Sequence, residues 1–343
     1  MRKQSLLFLF IAVFSFSVFA QKDEKSPYTF TIENDIKTTP IRDQYRSGTC
    51  WSFSALALLE TELIRVGKGE FDLSEMFAVR YSYSDKATKY IRFHGAINFA
   101  GGGAFHDVID VWRKYGFMPD IAYNGLKYGE PKHVHAELDG VLKAIVDQIL
   151  KNENKELTPV WHDVINAVLD VYLGHVPEEF IYNGKKYTPL SFAAELGLNM
   201  DDYVELTSFN HHPFWEPFVL EIPDNWSFGE SYNLPLDELI NCIDNSITKG
   251  YSVAWACDVS EKGFFWSKGV ALVPETEIAE LEGLEKAKWE ALTEKEREKQ
   301  IYALDNVVKE KKITQVVRQK AFDNFNTQDD HGMLIVGIAK DQN

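Results

Sequence analysis

The sequence predicts an α+β fold in which a helical half comes first and a β-rich half follows. Three observations point there. Apolar residues recur at helical spacing between Thr49 and Val66 (Phe53, Leu56, Ala57, Leu59, Leu63, Ile64). Two late apolar runs, Ser252–Asp258 and His331–Ala339, are short, β-branched and bounded by turn residues. With 343 residues, 45% of them hydrophobic, the chain can bury a large core.

In chain order, residues 1–20 carry Arg2 and Lys3, then a nearly unbroken apolar run from Leu6 to Phe19, and close on Val18-Phe19-Ala20, with small residues where a signal peptidase reads. The run falls short of the roughly 20 apolar residues a membrane span needs. We read 1–20 as a cleaved signal peptide and 21–343 as the mature domain, exported to the periplasm or beyond, with no membrane attachment after cleavage. Residues 21–48 have extended and turn character, punctuated by Pro27, Pro40 and Gly48. Thr49 is placed to cap the first helix, and Gly67 to stop it. A second helix is expected over 72–92, opened by Asp72 or Ser74. A third runs from Phe105 to Tyr115, after Gly101-Gly102-Gly103 and before Gly116. A long helical region from about His135 through Tyr172, then an aromatic, proline-bearing stretch, reads as an insertion over about 120–230 without chemistry of its own. Pro235–Thr248 is expected to be helical, 275–312 to be a charged helical excursion, and HGMLIVGIA to be one strand starting at His331.

Composition narrows the function. A formal net charge of −16, with no basic stripe to offset it, excludes nucleic acid and anionic lipid as partners. Three cysteines in so long a chain make no disulfide framework, and Cys242 and Cys257 read as unbridged core thiols. His133 and His135 read as surface residues, and His211 and His212 have no Cys, Asp or Glu at zinc spacing, so neither a metal nor a cofactor is expected. Asn225-Trp226-Ser227 matches a glycosylation pattern that is common by chance.

The chemistry concentrates at Cys50. Only the thiolate is a good nucleophile, and the first turn of a helix, with its unpaired N–H groups and partial positive charge, favours the anion. A backbone N–H there and the side-chain amide of Gln44 can together form an oxyanion hole for an acyl-transfer intermediate. The base is His331, the best placed of nine histidines: it follows Asp329-Asp330 and opens an apolar strand that anchors its backbone.

Gln44-x5-Cys50-Trp51, with His331-Gly332 later before an apolar strand, resembles the papain superfamily of cysteine peptidases. Gly102-Gly103 before a helix, YTPLSFAAE, NLPLDELINCIDNSITKGYSVAWACDVS and DDHGMLIVGIA look most like its bleomycin hydrolase or aminopeptidase C branch. Ser47 stands where papain itself has a disulfide-forming Cys, and Cys50 and His331 lie 281 positions apart rather than the roughly 130–150 of papain-like enzymes. The resemblance implies a two-lobed papain-like fold with helical insertions, and a thiol aminopeptidase acting on peptides. In it Cys50 and His331 are catalytic and Gln44 holds the oxyanion, while Gly102, Gly103 and Trp51 bind substrate, the glycines by letting its backbone pair as an added strand. It also implies a homo-oligomer, hexameric in that branch. The family's third catalytic residue, an Asn in an Asn-Ser-Trp segment on the strand after the histidine, is missing, so the chain is expected to be cut short where a hairpin at Lys340-Asp341-Gln342-Asn343 would reverse. Two other functions remain open: a papain-type endopeptidase and an inactive peptide-binding relic.

Overall fold

A computed structural model describes residues 26–153, 155–275 and 290–342. The proposed leader, part of the charged excursion and Asn343 lie outside the described residues.

The amphipathic stretches fold as expected, with informative shifts at their ends. Helix α1 spans Cys50–Arg65, so Cys50 is its first residue. Thr49 stands at the N-cap position, but its hydroxyl bonds Ser47 Oγ (2.6 Å) and leaves the helix end uncapped by a side chain. Helix α2 spans Glu75–Arg92, and Ser74 caps it by accepting from the Phe77 N–H (3.0 Å). Helix α3 covers Phe105–Tyr115 and ends at Gly116, whose φ of 76° suits glycine. The region read as one long helical stretch is two helices, α4 (Ala136–Leu150) and α5 (Trp161–Leu173), separated by a polar segment containing Pro159. Helix α6 (Pro189–Leu196) follows.

These helices share one core. Leu56, Leu59 and Leu63 of α1, Phe77 of α2 and Val108 of α3 are buried in the same cluster as Leu142 and Val146 of α4 and Leu169 of α5. The 120–230 segment therefore completes the helical lobe, and removing it would open the lobe's centre to water. Arg80 of α2 reinforces the joint with an ion pair to Asp170 (2.7 Å).

The strands form small sheets, and the pair between Phe180 and Tyr187 belongs to the core of the helical lobe. In chain order the strands are β1 (Thr31–Asp35), β2 (Phe180–Tyr182), β3 (Lys185–Tyr187), β4 (Leu206–Thr207), β5 (Pro217–Val219), β6 (Glu230–Asn233), β7 (Val253–Cys257), β8 (Phe264–Phe265), β9 (Val270–Ala271), β10 (His331–Ile335) and β11 (Gly337–Lys340). Strand β10 pairs antiparallel with β7, His331 opposite Cys257 and Ile335 opposite Val253. Helix α7 (Leu236–Thr248) leads into β7. Helices α8 (Glu294–Ile301) and α9 (Gln315–Asp323) lie between β9 and β10.

The closing segment corrects one expectation. HGMLIVGIA is two strands, and after Val336 the chain crosses to β1 instead of turning back. Strand β11 pairs antiparallel with β1, Lys340 opposite Thr31, and Gln342 Oε1 accepts from the Thr29 N–H (2.9 Å). Lys340 and Gln342 thus extend a sheet, and the backbone of β11 has a strand beside it. A Cβ on Gly337 would press on the Asn34 carbonyl (2.5 Å), so glycine permits the crossing.

Candidate active site

Cys50 opens α1, and β10 lies across that helix end. The close approach depends on Gly332: a Cβ there would lie 3.0 Å from Phe105 Cε1, 3.1 Å from Ser54 Oγ and 3.4 Å from the Cys50 carbonyl carbon. A bare glycine next to His331 thus lets the histidine strand rest on the cysteine helix. Asp330 steadies the approach to the strand by accepting from the Val259 N–H (2.8 Å), and Asp258 does so by accepting from the Gln328 N–H (2.8 Å).

The thiol is not poised as an anion by its helix end alone. Burial pushes the Cys50 pKa up, the Gly332 and Trp51 N–H groups pull it down, and the Asp224 carboxylate pushes it up again; the net direction is upward. Burial of the thiol thus works against the anion that the helix N-terminus favours. The anion then depends on a cationic partner, which is what an imidazolium supplies. Among the described residues neither ring nitrogen of His331 has a hydrogen-bond partner. Gln44 is half-buried, and its Oε1 accepts from the Thr49 N–H (3.1 Å). That bond fixes which end of the amide faces the helix and leaves Nε2 available as a donor.

Trp51 is 3% exposed, and its indole N–H donates to the Gly101 carbonyl (2.9 Å). It sits beneath the glycine run as a support. A Cβ on Gly103 would meet the Trp51 ring at 2.9 Å and Asp107 Oδ2 at 2.8 Å, so this glycine is needed for packing. Gly102 differs: a Cβ there would overlap the carboxylate of Asp224.

Two participants escaped the sequence reading. Lys86, wholly buried, donates to the carbonyls of Ala100 (2.8 Å) and Gly102 and so holds the glycine run from below. Burial lowers its pKa to about 8, opposed by Asp107, Asp224 and Asp139. Asp224 comes from the segment thought to lack chemistry. Its loop is pinned to the helical lobe at three points: Trp226 Nε1 donates to Asp107 Oδ2 (2.8 Å), Ser227 Oγ bonds His106 Nε2 (2.7 Å), and Lys89 Nζ donates to the Ser227 carbonyl. No local sequence pattern marks either residue, because each acts on a loop outside its own element.

Other clusters resolve into structural roles. Ser227, His106 and Glu205 form a Ser-His-acid row, with His106 Nδ1 3.0 Å from Glu205 Oε2. Burial lowers the His106 pKa, but the Glu205 hydrogen bond and charge, with Asp107, more than offset this and raise it, and the row ties the Ser227 loop to the start of α3. His211 and His212 do have an acid nearby: their Nε2 atoms lie 3.1 and 2.7 Å from Glu221, and the three side chains form a cluster of metal-ligating type. Gln319 argues against an ion there. Its Oε1 accepts from the Asn210 N–H (2.7 Å), which turns its Nε2 toward His211 Nδ1 (3.0 Å). An accepting Nδ1 puts the proton on Nε2, where a metal would have to bind.

His135 is fully buried and His133 half-buried, which corrects their reading as surface residues. The segment pairs with the loop before Cys50: the Arg46 N–H donates to the His133 carbonyl (2.9 Å) and the His135 N–H to the Arg46 carbonyl (3.1 Å). Asn225 is also buried, and its Nδ2 donates to the Leu220 and Gly229 carbonyls (3.0 and 2.9 Å), which closes it to glycosylation in the folded chain. All three cysteines are free and half-buried.

A helical lobe with a thiol at a helix start, faced by a histidine strand from a β-rich half, is the layout of a thiol-dependent hydrolase of papain type. Comparison with protein families agrees: residues 13–288 match the Peptidase C1-like family, and the chain belongs to it. It is 24% identical over 275 residues to aminopeptidase E of Lactobacillus helveticus, covering 68% of this chain and 63% of that protein. With aminopeptidase C of Lactococcus lactis subsp. cremoris it shares 22% over 267 residues, 66% of this chain and 61% of the relative. The chain thus spans a little over three fifths of the length of these relatives. Among solved structures it resembles PepW from Lactobacillus rhamnosis HN001, with a TM-score of 0.62 at 16% identity over 90% of this chain and 72% of the other.

Proposed function

We propose that the chain is a cysteine aminopeptidase that removes N-terminal residues from peptides. The observation that carries this reading is the approach of β10 to the start of α1 through Gly332, with the free end of the Gln44 amide beside it. Cys50 Sγ attacks the scissile carbonyl. His331 takes the thiol proton, stabilises the thiolate as an imidazolium, and later protonates the leaving amine. The oxyanion is held by Gln44 Nε2 and the Cys50 N–H. Water then hydrolyses the acyl-enzyme. The names of the relatives support the substrate class, and the acidic residues near the thiol favour a substrate with a free amine.

The test is turnover of aminoacyl-anilide substrates, combined with labelling by a thiol-directed epoxide. Activity lost in Cys50→Ala, with the epoxide on Cys50 in the parent protein, is expected. Full turnover in Cys50→Ala would overturn the reading. An N-blocked internal-bond substrate cleaved faster than aminoacyl substrates would make the enzyme an endopeptidase instead. A Cys50 no more reactive than free cysteine would favour a peptide-binding relic.

We further propose export, with cleavage after Ala20, on the strength of the basic start and apolar run. N-terminal sequencing of the mature protein is expected to begin at Gln21. Assembly into a homo-oligomer is proposed from the family resemblance alone, and light scattering of the purified protein tests it.

A further inference from the structure

We propose that Asp224 is the group that selects a free N-terminus: its carboxylate occupies the place of the residue preceding the scissile one and pairs with the substrate's α-ammonium. The inference rests on the reading of Cys50 as nucleophile.

The glycine run leads away from the thiol, and its bare backbone is where an extended peptide would lie. At Gly102 that space is taken, because both carboxylate oxygens of Asp224 fill the position a Cβ would have. A peptide continuing past the residue bound at Cys50 would run into this side chain. One that ends there presents an ammonium to it. One group thus blocks the longer substrate and attracts the correct one, which is how specificity is gained from repulsion and attraction together.

The surroundings suit this task. Asp224 takes one hydrogen bond among the described residues, from Asn98 Nδ2 to Oδ1 (3.0 Å), leaving Oδ2 for a ligand. It is close enough to the thiol to act on it electrostatically, and it acts in the same way on Asp329, two residues before His331. Of the nearby carboxylates, Asp107 also has His106 beside it (3.8 Å) and Asp139 accepts from the Tyr83 hydroxyl, whereas Asp224 has the buried Lys86 ammonium as its nearby cation. Burial pushes the Asp224 pKa up, opposed by Lys86 and Asn98. The pins at Trp226 and Ser227 fix the loop in advance, so little ordering is needed on binding.

The experiment compares kcat and KM for an aminoacyl-anilide and its N-acetyl counterpart in the full chain, with active sites counted by epoxide titration. The parent is expected to prefer the free amine strongly. In Asp224→Asn, kcat/KM for the free amine should fall by about 10–100-fold, mainly through KM, as for loss of a hydrogen bond to a charged group. The N-acetyl substrate should be little changed, so the preference collapses. Gly102→Ala, whose methyl displaces the carboxylate, should act in the same direction and serves as the second variant. In Asp224→Gly, N-blocked dipeptidyl anilides should become substrates. If Asp224→Asn and Gly102→Ala keep the parent's ratio within threefold while turning over, Asp224 is not the selector, and the peptidase reading stands. If the parent turns over neither substrate and the epoxide leaves Cys50 unlabelled, the peptidase reading fails and this inference with it.

Discussion

Gln44 divides one amide between two tasks: its oxygen ties down the Thr49 N–H at the start of α1, and its nitrogen is left for a developing negative charge. If that charge exists only in the transition state, Gln44→Ala should lower kcat by about 10²-fold with little change in KM. Steady-state kinetics decide this, and a rise in KM at constant kcat would make the residue a ground-state contact. That Cys50 opens a helix and His331 a strand was legible in the sequence, because a helix start and a strand start are local patterns. Asp224 and Lys86 were not legible. Their significance lies in Gly102, which one covers and the other holds by its carbonyl, and neither contact leaves a periodic trace.

At the scale of elements, the helices were read well where capping and amphipathic spacing agreed, as in α2 and α3. The reading failed where an element's partner decided its fate. The polar end of HGMLIVGIAKDQN looks like a turn, yet pairing with β1 draws Lys340 into a strand, where it also forms an ion pair with Glu33 (2.7 Å). The segment read as an insertion supplies α4 and α5, whose contribution to the central core depends on partners far away in the chain. Two substitutions test how elements hold the site. Gly332→Val places a branched side chain against Phe105 and Ser54 and should lift β10 off α1, lowering epoxide labelling of Cys50 by at least about 10-fold if geometry controls attack. Lys86→Met fills the same space but leaves the Ala100 and Gly102 carbonyls without their donor. At about 1–3 kcal/mol for each of the two buried carbonyls left unpaired, we expect a loss of about 2–6 kcal/mol in urea denaturation. Unchanged stability would show that the glycine run holds its shape without the ammonium.

Across the whole molecule, an acidic chain has buried several of its ionisable groups, and this sets how stability depends on pH. Glu60 lies in the core of the α1–α2 junction, accepting from Thr39 Oγ1 (2.6 Å) and from the Leu73 N–H (2.7 Å). Burial raises its pKa to about 7, opposed by those two hydrogen bonds and aided by Asp72. Burial likewise raises Glu75 to about 8, with Glu60, Asp120 and Asp72 adding repulsion. Groups raised in the folded state from an ordinary 4.5 bind protons that the unfolded chain has released, so their stabilisation is complete below about 4.5 and is lost as pH rises through 7 and 8. His135 works in the opposite sense: burial, with His133 adding to it, lowers its pKa to about 4, so the unfolded chain takes up protons first and the stability it contributes falls as pH drops from 6.5 toward 4. Two carboxylates outweigh one histidine between 4.5 and 6.5, so stability from these groups should be highest near pH 4.5 and decline toward pH 8.5. Glu60→Gln isolates one contribution, since its amide oxygen can accept from Leu73 and its nitrogen can donate to the Thr39 hydroxyl. The variant should match the parent at pH 5 and exceed it at pH 8.5 by up to about 3 kcal/mol, the free energy of a pKa raised from 4.5 to about 7. Urea midpoints measured at both values provide the check. A Gln variant less stable than the parent at pH 8.5 would mean that Glu60 is held as a charged, stabilised carboxylate, and that this side of the pH profile has another origin.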